Sequence, residues 1–168
     1  MTDPRQSRTR IEAGVVDVLV LAPAAPGRRD RWRVLTLRRA GGVRCTGAWE
    51  IVHGSIEHGE RPHEAAVREV MEETGQRVQR LYSITVNPFY VARRDSIQLA
   101  VVFAAIVSDA LPIVTQEEHD AAVWRTPSAA AKILAWPRSV EAMRIALAIL
   151  ATGDAGPRED VLRIELPV

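Results

Sequence analysis

The sequence predicts an α+β fold: a mixed β-sheet carrying helices on both faces, an α/β/α sandwich. Three observations lead there. Apolar, β-rich runs fill the first third and the centre of the chain. One helix-patterned segment, Pro62 to Gly75, separates them, and the other helical patterns follow only after the last long strand. The order lacks the strict alternation of a βαβ repeat.

Taken in order, residues 1–10 are polar, hold Pro4 and three arginines, and read as a loose tail. From Gly14 the run Val-Val-Asp-Val-Leu-Val-Leu is a strand that stops at Pro23. Breakers and charges make Pro23 to Arg31 a loop. Trp32 to Arg39 is a second strand, and Trp49 to Val52 a short third one after the glycine-punctuated stretch Gly41 to Gly47. Pro62 suits the first turn of a helix, where its missing N–H costs nothing, and Gly75 suits the end. Val78 to Val86 and Ser96 to Val107 are further strands, the second almost wholly apolar and therefore central. Asn87-Pro88 and Arg93-Arg94-Asp95 read as turns, and Gln116 to Asp120 as an acidic loop before the short strand Ala122 to Arg125. Thr126-Pro127-Ser128 opens a short helix, and Pro137 opens a longer one reaching about Ala151. Gly153 to Pro157 is a linker. Val161 to Val168 alternates with period two, as an added edge strand or an arm for a partner would. The expected organisation is thus a tail over 1–11, one domain over 12–151 and an extension over 152–168.

Composition narrows the function. The 168 residues are 47% apolar and 26% charged, with Lys+Arg 22 against Asp+Glu 21 and a net charge of +1. That supports a sizeable core and gives no bulk attraction for a nucleic-acid polymer or an anionic membrane. A single Cys45 excludes an intramolecular disulfide and a cysteine-based zinc cage. The longest apolar run, Leu99 to Val107, is about half of the ~20 residues that cross a bilayer, and the first residues lack a signal-peptide core. A soluble cytoplasmic domain is expected.

The chemistry concentrates in Gly54 to Gly75. On a helical wheel Glu69, Glu72 and Glu73 share one face, while Val67, Val70, Met71 and Thr74 lie roughly opposite. Three like charges at i,i+3 and i,i+4 repel by a few tenths of a kcal/mol per pair. Arg68, four residues before Glu72, offsets part of that repulsion. A hard divalent cation such as Mg²⁺, which takes carboxylates together with phosphate oxygens, offsets more. Glu60, just before the helix, folds back toward the same face. A pair such as Glu72-Glu73 alone is ordinarily solvated surface; the full spacing says otherwise.

That spacing is similar to the Nudix box, G-x5-E-x7-R-E-U-x-E-E-x-G-U with U aliphatic, at Gly54, Glu60, Arg68, Glu69, Val70, Glu72, Glu73 and Gly75. With typical usage of roughly 5–8% per fixed position, chance does not produce so many matches in one chain. Two departures stand out. Gln76 replaces the final aliphatic residue, which implies a local packing change. Val52-His53 precedes Gly54 where many members have Pro-Gly. The likeness spans about residues 12 to 150, and Trp49 to Glu60 with Ala135 to Glu141 looks most like the dihydroneopterin triphosphate / dATP pyrophosphohydrolase branch.

The resemblance implies a Nudix-type sandwich that hydrolyses a phosphoanhydride with Mg²⁺ or Mn²⁺. It implies Glu69, Glu72 and Glu73 as metal ligands, with the Gly54 carbonyl and Glu60 as further ones. Glu69 is the candidate general base, and Glu118, or Glu117, the alternative base or an extra ligand. Arg68 orients the carboxylates through its planar fork. Arg38 and Arg39 are candidate phosphate or base contacts, or plain surface arginines. His53 either reaches a phosphate or fills a loop position. Trp32, Trp49, Trp124 and Trp136 are core packing or stacking residues, and His58, His63 and His119, all in polar stretches, are expected to be exposed. The implied substrate is a nucleoside or pterin triphosphate cleaved to monophosphate and pyrophosphate. The alternatives are a nucleoside diphosphate sugar, a dinucleoside polyphosphate, or a catalytically silent nucleotide-binding module. A homodimer through the Pro137–Ala151 helix or the Val161–Val168 tail is a further expectation.

Overall fold

The computed structural model describes residues 8–108 and 117–166. Among these residues eight strands form one mixed sheet: β1 (Arg10–Pro23), β2 (Trp32–Arg39), β3 (Trp49–Glu50), β4 (Val52–Ser55), β5 (Val78–Val91), β6 (Ser96–Val107), β7 (His119–Arg125) and β8 (Arg163–Ile164). The helices are α1 (Pro62–Thr74), α2 (Pro127–Ile133), α3 (Pro137–Ile149) and the single turn α4 (Glu159–Leu162). Among the described residues no helix is long and apolar enough to cross a membrane.

Alternation along β1 and β6 builds two cores, one on each face of the sheet. Val16, Val18, Val20, Phe103 and Ala105 pack with Ala65, Ala66 and Val70 of α1. Leu19, Leu21, Val102, Ala104 and Ile106 pack with Ala142, Met143 and Ala146 of α3. Each fully buried Val or Leu contributes about 1.5–3 kcal/mol over its exposed state, so losing either helix face is costly. The α/β/α sandwich is therefore the observed fold.

One topological feature positions the site. β1 runs parallel to β6 on one side. On the other it pairs with β2 only at Leu21–Pro23 before the two diverge. The chain from Trp49 to Ser55 fills the widening gap, first as β3 on β2 and then as β4 on β1. Helix α1 follows at once, so Gly54 and the glutamates of the helix face each other.

Several boundaries differ from the sequence expectation. β1 begins at Arg10, whose N–H donates to the Asp95 carbonyl at 3.2 Å, four residues before Gly14. Asn87-Pro88 is no turn: β5 runs through it to Val91. Among the described residues β8 pairs only with Leu81 and Tyr82 and leaves the edge of β5 open at Pro88, where a missing N–H costs no ladder bond. The expected linker is packed, with Ala155 1% exposed in the α3-side core. In the tail only Arg163–Ile164 is strand; Val161 and Leu162 belong to α4, and 167–168 lie outside the described residues, as does Gln116 of the acidic loop.

Candidate active site

Helix α1 is set by short-range chemistry. Pro62 opens it, the Arg61 N–H donates to Glu64 Oε2 at 2.8 Å, and Gly75 closes it at φ 67°, its N–H donating to the Met71 carbonyl. The buried line runs through Ala65, Ala66, Val70, Glu73 and Thr74. Met71, expected on that side, is 44% exposed, because the helix contacts the sheet along Ala66–Val70–Thr74 and leaves position 71 on the flank. Glu73 takes the other flank and is buried.

Arg68 gathers the outer carboxylates. Its guanidinium donates to both oxygens of Glu60 at 2.9 Å, to Glu69 at 2.8 Å, to Glu72 at 3.1 Å and to the Ser55 carbonyl at 2.8 Å. Five donors in a fixed plane are needed for this, which is why Lys is no equivalent. The Glu60 carboxyl is held below its usual range by these bonds. Both oxygens of Glu60, a further ligand by the family resemblance, are engaged by Arg68, and Glu60 does not line the cavity.

Gly54 is required by contact. A β-carbon there would coincide with the Glu69 carboxyl, which lies directly over the backbone of β4. The same packing pushes Glu69 above the usual carboxylate range through burial, partly opposed by Arg68.

Glu69, Glu72, Glu73 and Glu118 line one cavity of about 540 Å³ together with Gly54, His53, Arg39 and His119. Glu73, 8% exposed, is the most buried of the four carboxylates. Burial first, then the charges of Glu69, Glu50 and Glu118, push its carboxyl up to about 9. Its Oε2 and His119 Nδ1 are buried without hydrogen-bond partners. A buried carboxylate oxygen with no donor calls for an explanation, and a cation is the fitting one: the donors around it are hard oxygens, the Gly54 cradle brings Glu69 alongside, and the excess charge is negative. Among the described residues no three acidic, imidazole or thiol groups already close into a metal cage. Glu69 and Glu72 are instead turned toward Arg68, as carboxylates that repel one another are when a guanidinium is their nearest cation.

His119 corrects the expectation of an exposed histidine: it is 3% exposed. Pairing of β7 with β2, where His119 stands opposite Arg39, turns the ring inward. Its Nε2 donates to Glu50 Oε1 at 2.9 Å, and Arg39 Nη1 reaches the same oxygen at 2.9 Å. Burial alone would raise the Glu50 carboxyl, but the bonds from His119 and Arg39 hold it below its usual range. Glu118 stands at the cavity mouth, 3.9 Å from Arg39. Arg38, by contrast, is turned away and pairs with Asp120 at 2.7 Å.

His53 lies between this cavity and a neighbouring groove of about 690 Å³ bordered by Phe89, Arg93, Gln98, Trp136 and Arg138. Its Nδ1 donates to Asp17 Oδ1 at 2.6 Å, and Arg138 Nε reaches the other Asp17 oxygen at 3.4 Å. Arg138 also lies 4.5 Å from the Phe89 ring centroid and 5.5 Å from that of Trp136. Sequence reasoning passed over Asp17, Phe89, Arg93 and Arg138. Asp17 did leave a signal: a carboxylate inside an apolar strand must find a partner when buried.

Fold and site define the class, a sandwich whose glycine-to-helix segment turns an acidic face into a cleft. The NUDIX domain family matches residues 15–144, and the chain belongs to it. It is a pyrophosphohydrolase of that family, acting on phosphoanhydrides. A Nudix hydrolase from Listeria monocytogenes is similar in structure, with a TM-score of 0.68 at 19% identity over 84% of this chain and 96% of that one. An Ap4A hydrolase from C. elegans gives 0.66 at 19% identity over 82% and 97%. The E. coli dihydroneopterin triphosphate pyrophosphohydrolase gives 0.58 at 26% identity over 77% and 92%.

Proposed function

We propose that the chain hydrolyses a nucleoside or pterin triphosphate to the monophosphate and pyrophosphate with Mg²⁺, or Mn²⁺ in its place. The observation that carries this reading is the junction at His53. The acidic cavity and the groove of Arg138, Phe89 and Trp136 share Arg39, His53, Ser55 and Arg93, so one molecule with a flat ring and a polyphosphate tail spans both. Likeness to the dihydroneopterin triphosphate enzyme, at 26% identity, supports the same substrate class.

Glu69, Glu72, Glu73 and the Gly54 carbonyl would hold the cation. When bound, it supplies neutralisation of the phosphate oxygens and acidifies the attacking water. Glu69 accepts that water's proton, its raised affinity for protons suiting a base. Glu118 at the cavity mouth is the second candidate for the same task. Arg68 and Glu60 set the direction of the Glu69 carboxylate. Arg39 and Arg93 meet phosphate oxygens, and His53, held by Asp17, borders the passage between ring and tail.

The test is a panel of nucleoside triphosphates, dihydroneopterin triphosphate, diphosphate sugars and dinucleoside polyphosphates, with Mg²⁺ and with excess chelator. Triphosphates should release pyrophosphate, and chelator should abolish turnover. Glu69→Gln should lower kcat about 10²–10⁴-fold with the fold intact. Preference for a diphosphate sugar or dinucleoside polyphosphate would replace the substrate assignment; binding without turnover of any panel member would make the chain a silent module.

A further inference from the structure

Glu50, His119 and Glu73 come from β3, β7 and α1 and meet at the wall of the acidic cavity, which His119 and Glu73 line. His119 is held in place by both its backbone and its ring. Its backbone is paired to Arg39 in the sheet, its ring is 1% exposed, and its Nε2 is bonded to Glu50. Glu50 is itself held by Arg39 at 2.9 Å and faces Trp136 Nε1 at 3.5 Å. The other ring nitrogen, Nδ1, points at Glu73 Oε2 across 3.9 Å. Both atoms are buried and neither has another partner. That gap exceeds the roughly 2.7–3.2 Å of a direct hydrogen bond. A small rotation of the Glu73 side chain would bring the two atoms within hydrogen-bond distance.

We propose that His119 is a positioning residue for Glu73: anchored on Glu50, its Nδ1 fixes the orientation in which the Glu73 carboxylate meets a divalent cation. This rests on Glu73 being a metal ligand, as the proposed function has it. Partners behind a metal ligand are known to matter: their loss typically costs about 10–100-fold in metal affinity or activity. The geometry also explains why a residue in a run of charged neighbours is turned inward, and why Glu50, itself outside the ligand set, is kept ionised.

The experiment measures Mn²⁺ affinity of the substrate-free protein from the free-ion EPR signal, alongside the melting temperature in chelator. His119→Gln retains reach toward Glu50 but removes the group facing Glu73; His119→Asn places an amide near the Nδ1 position. The glutamine variant should bind Mn²⁺ about 10–100-fold more weakly, and the asparagine variant should recover most of that loss. Equal affinity of wild type and His119→Gln overturns the proposal, and so does an asparagine variant as weak as the glutamine one. In the wild-type protein the ¹⁵N resonance of His119 Nδ1 should move on Mg²⁺ addition, while those of His58 and His63 stay; a stationary His119 signal overturns it without any variant. Echo modulation from a nitrogen bound directly to Mn²⁺ overturns it as well, since His119 would then be a ligand. Failure of the wild-type chain to bind Mn²⁺ removes the ligand assignment and this proposal with it, whereas wild-type binding unaffected at His119 removes this proposal alone.

Discussion

Glu60 and Glu73 stand at opposite ends of one acidic face and are stabilised in opposite ways. Glu60 is saturated: Arg68 takes both of its oxygens, the Glu57 N–H donates to one of them at 2.9 Å, and its carboxyl sits below the ordinary range. Glu73 is buried beside three other acids, with one oxygen lacking a donor and a carboxyl pushed up to about 9. The outer end is a finished structural device that needs nothing more. The inner end holds a buried carboxyl oxygen that no donor in the described residues reaches. The proposed cation would relieve the inner end, while Arg68 at the outer end aims Glu69 and Glu72.

Gly54, where the two ends meet, is the most sensitive place to break the contrast. Gly54→Ala would drive Glu69 off β4, and displacement of about 1 Å costs on the order of 10²-fold in kcat/KM. A variant with normal turnover would mean that Glu69 works elsewhere. Arg68→Lys comes next. It keeps the charge but loses the fork, so activity should fall about 10–100-fold while the chelated protein still melts cooperatively; retention of full activity would make the outer end dispensable.

The inner end makes a pH prediction for the protein in chelator. Glu73 binds its proton more tightly folded than unfolded, so its contribution to stability is fully present below about pH 4.5 and is lost as pH rises through about 9. The melting temperature should therefore decline between these values, and Glu73→Gln should flatten the decline. Excess Mg²⁺ should flatten it too, by taking the place of the proton. A slope unchanged in Glu73→Gln would locate the titration elsewhere. The smallest effect is expected at Arg38, whose pair with Asp120 is 44% and 45% exposed; Arg38→Ala should cost no more than about 1 kcal/mol of stability and leave kcat/KM close to wild type. A larger loss of activity would return Arg38 to the substrate contacts.

Much of the outer end was legible in the sequence. The Arg68–Glu72 pair follows from helical spacing and the return of Glu60 from its place just before the helix, both local properties, and Pro62 and Gly75 mark the helix ends for equally local reasons. The inner end was not legible. Glu117, Glu118 and Asp120 around His119 suggest exposure, yet the β2–β7 pairing sets the side to which His119 points. Likewise Asn87-Pro88 suggests a turn wherever it occurs, and only the open edge of β5 makes it strand.

Chain order and periodicity alone determined that Glu69, Glu72 and Glu73 share a face, that Arg68 lies among them and that the strands form a covered sheet. These depend on interactions within a few residues. Which carboxylate is buried, which arginine turns inward and which histidine stands behind the cavity were decided by the splaying of β1 from β2 and the docking of β7. Those contacts join segments far apart in the chain, and burial is a property of the packed whole.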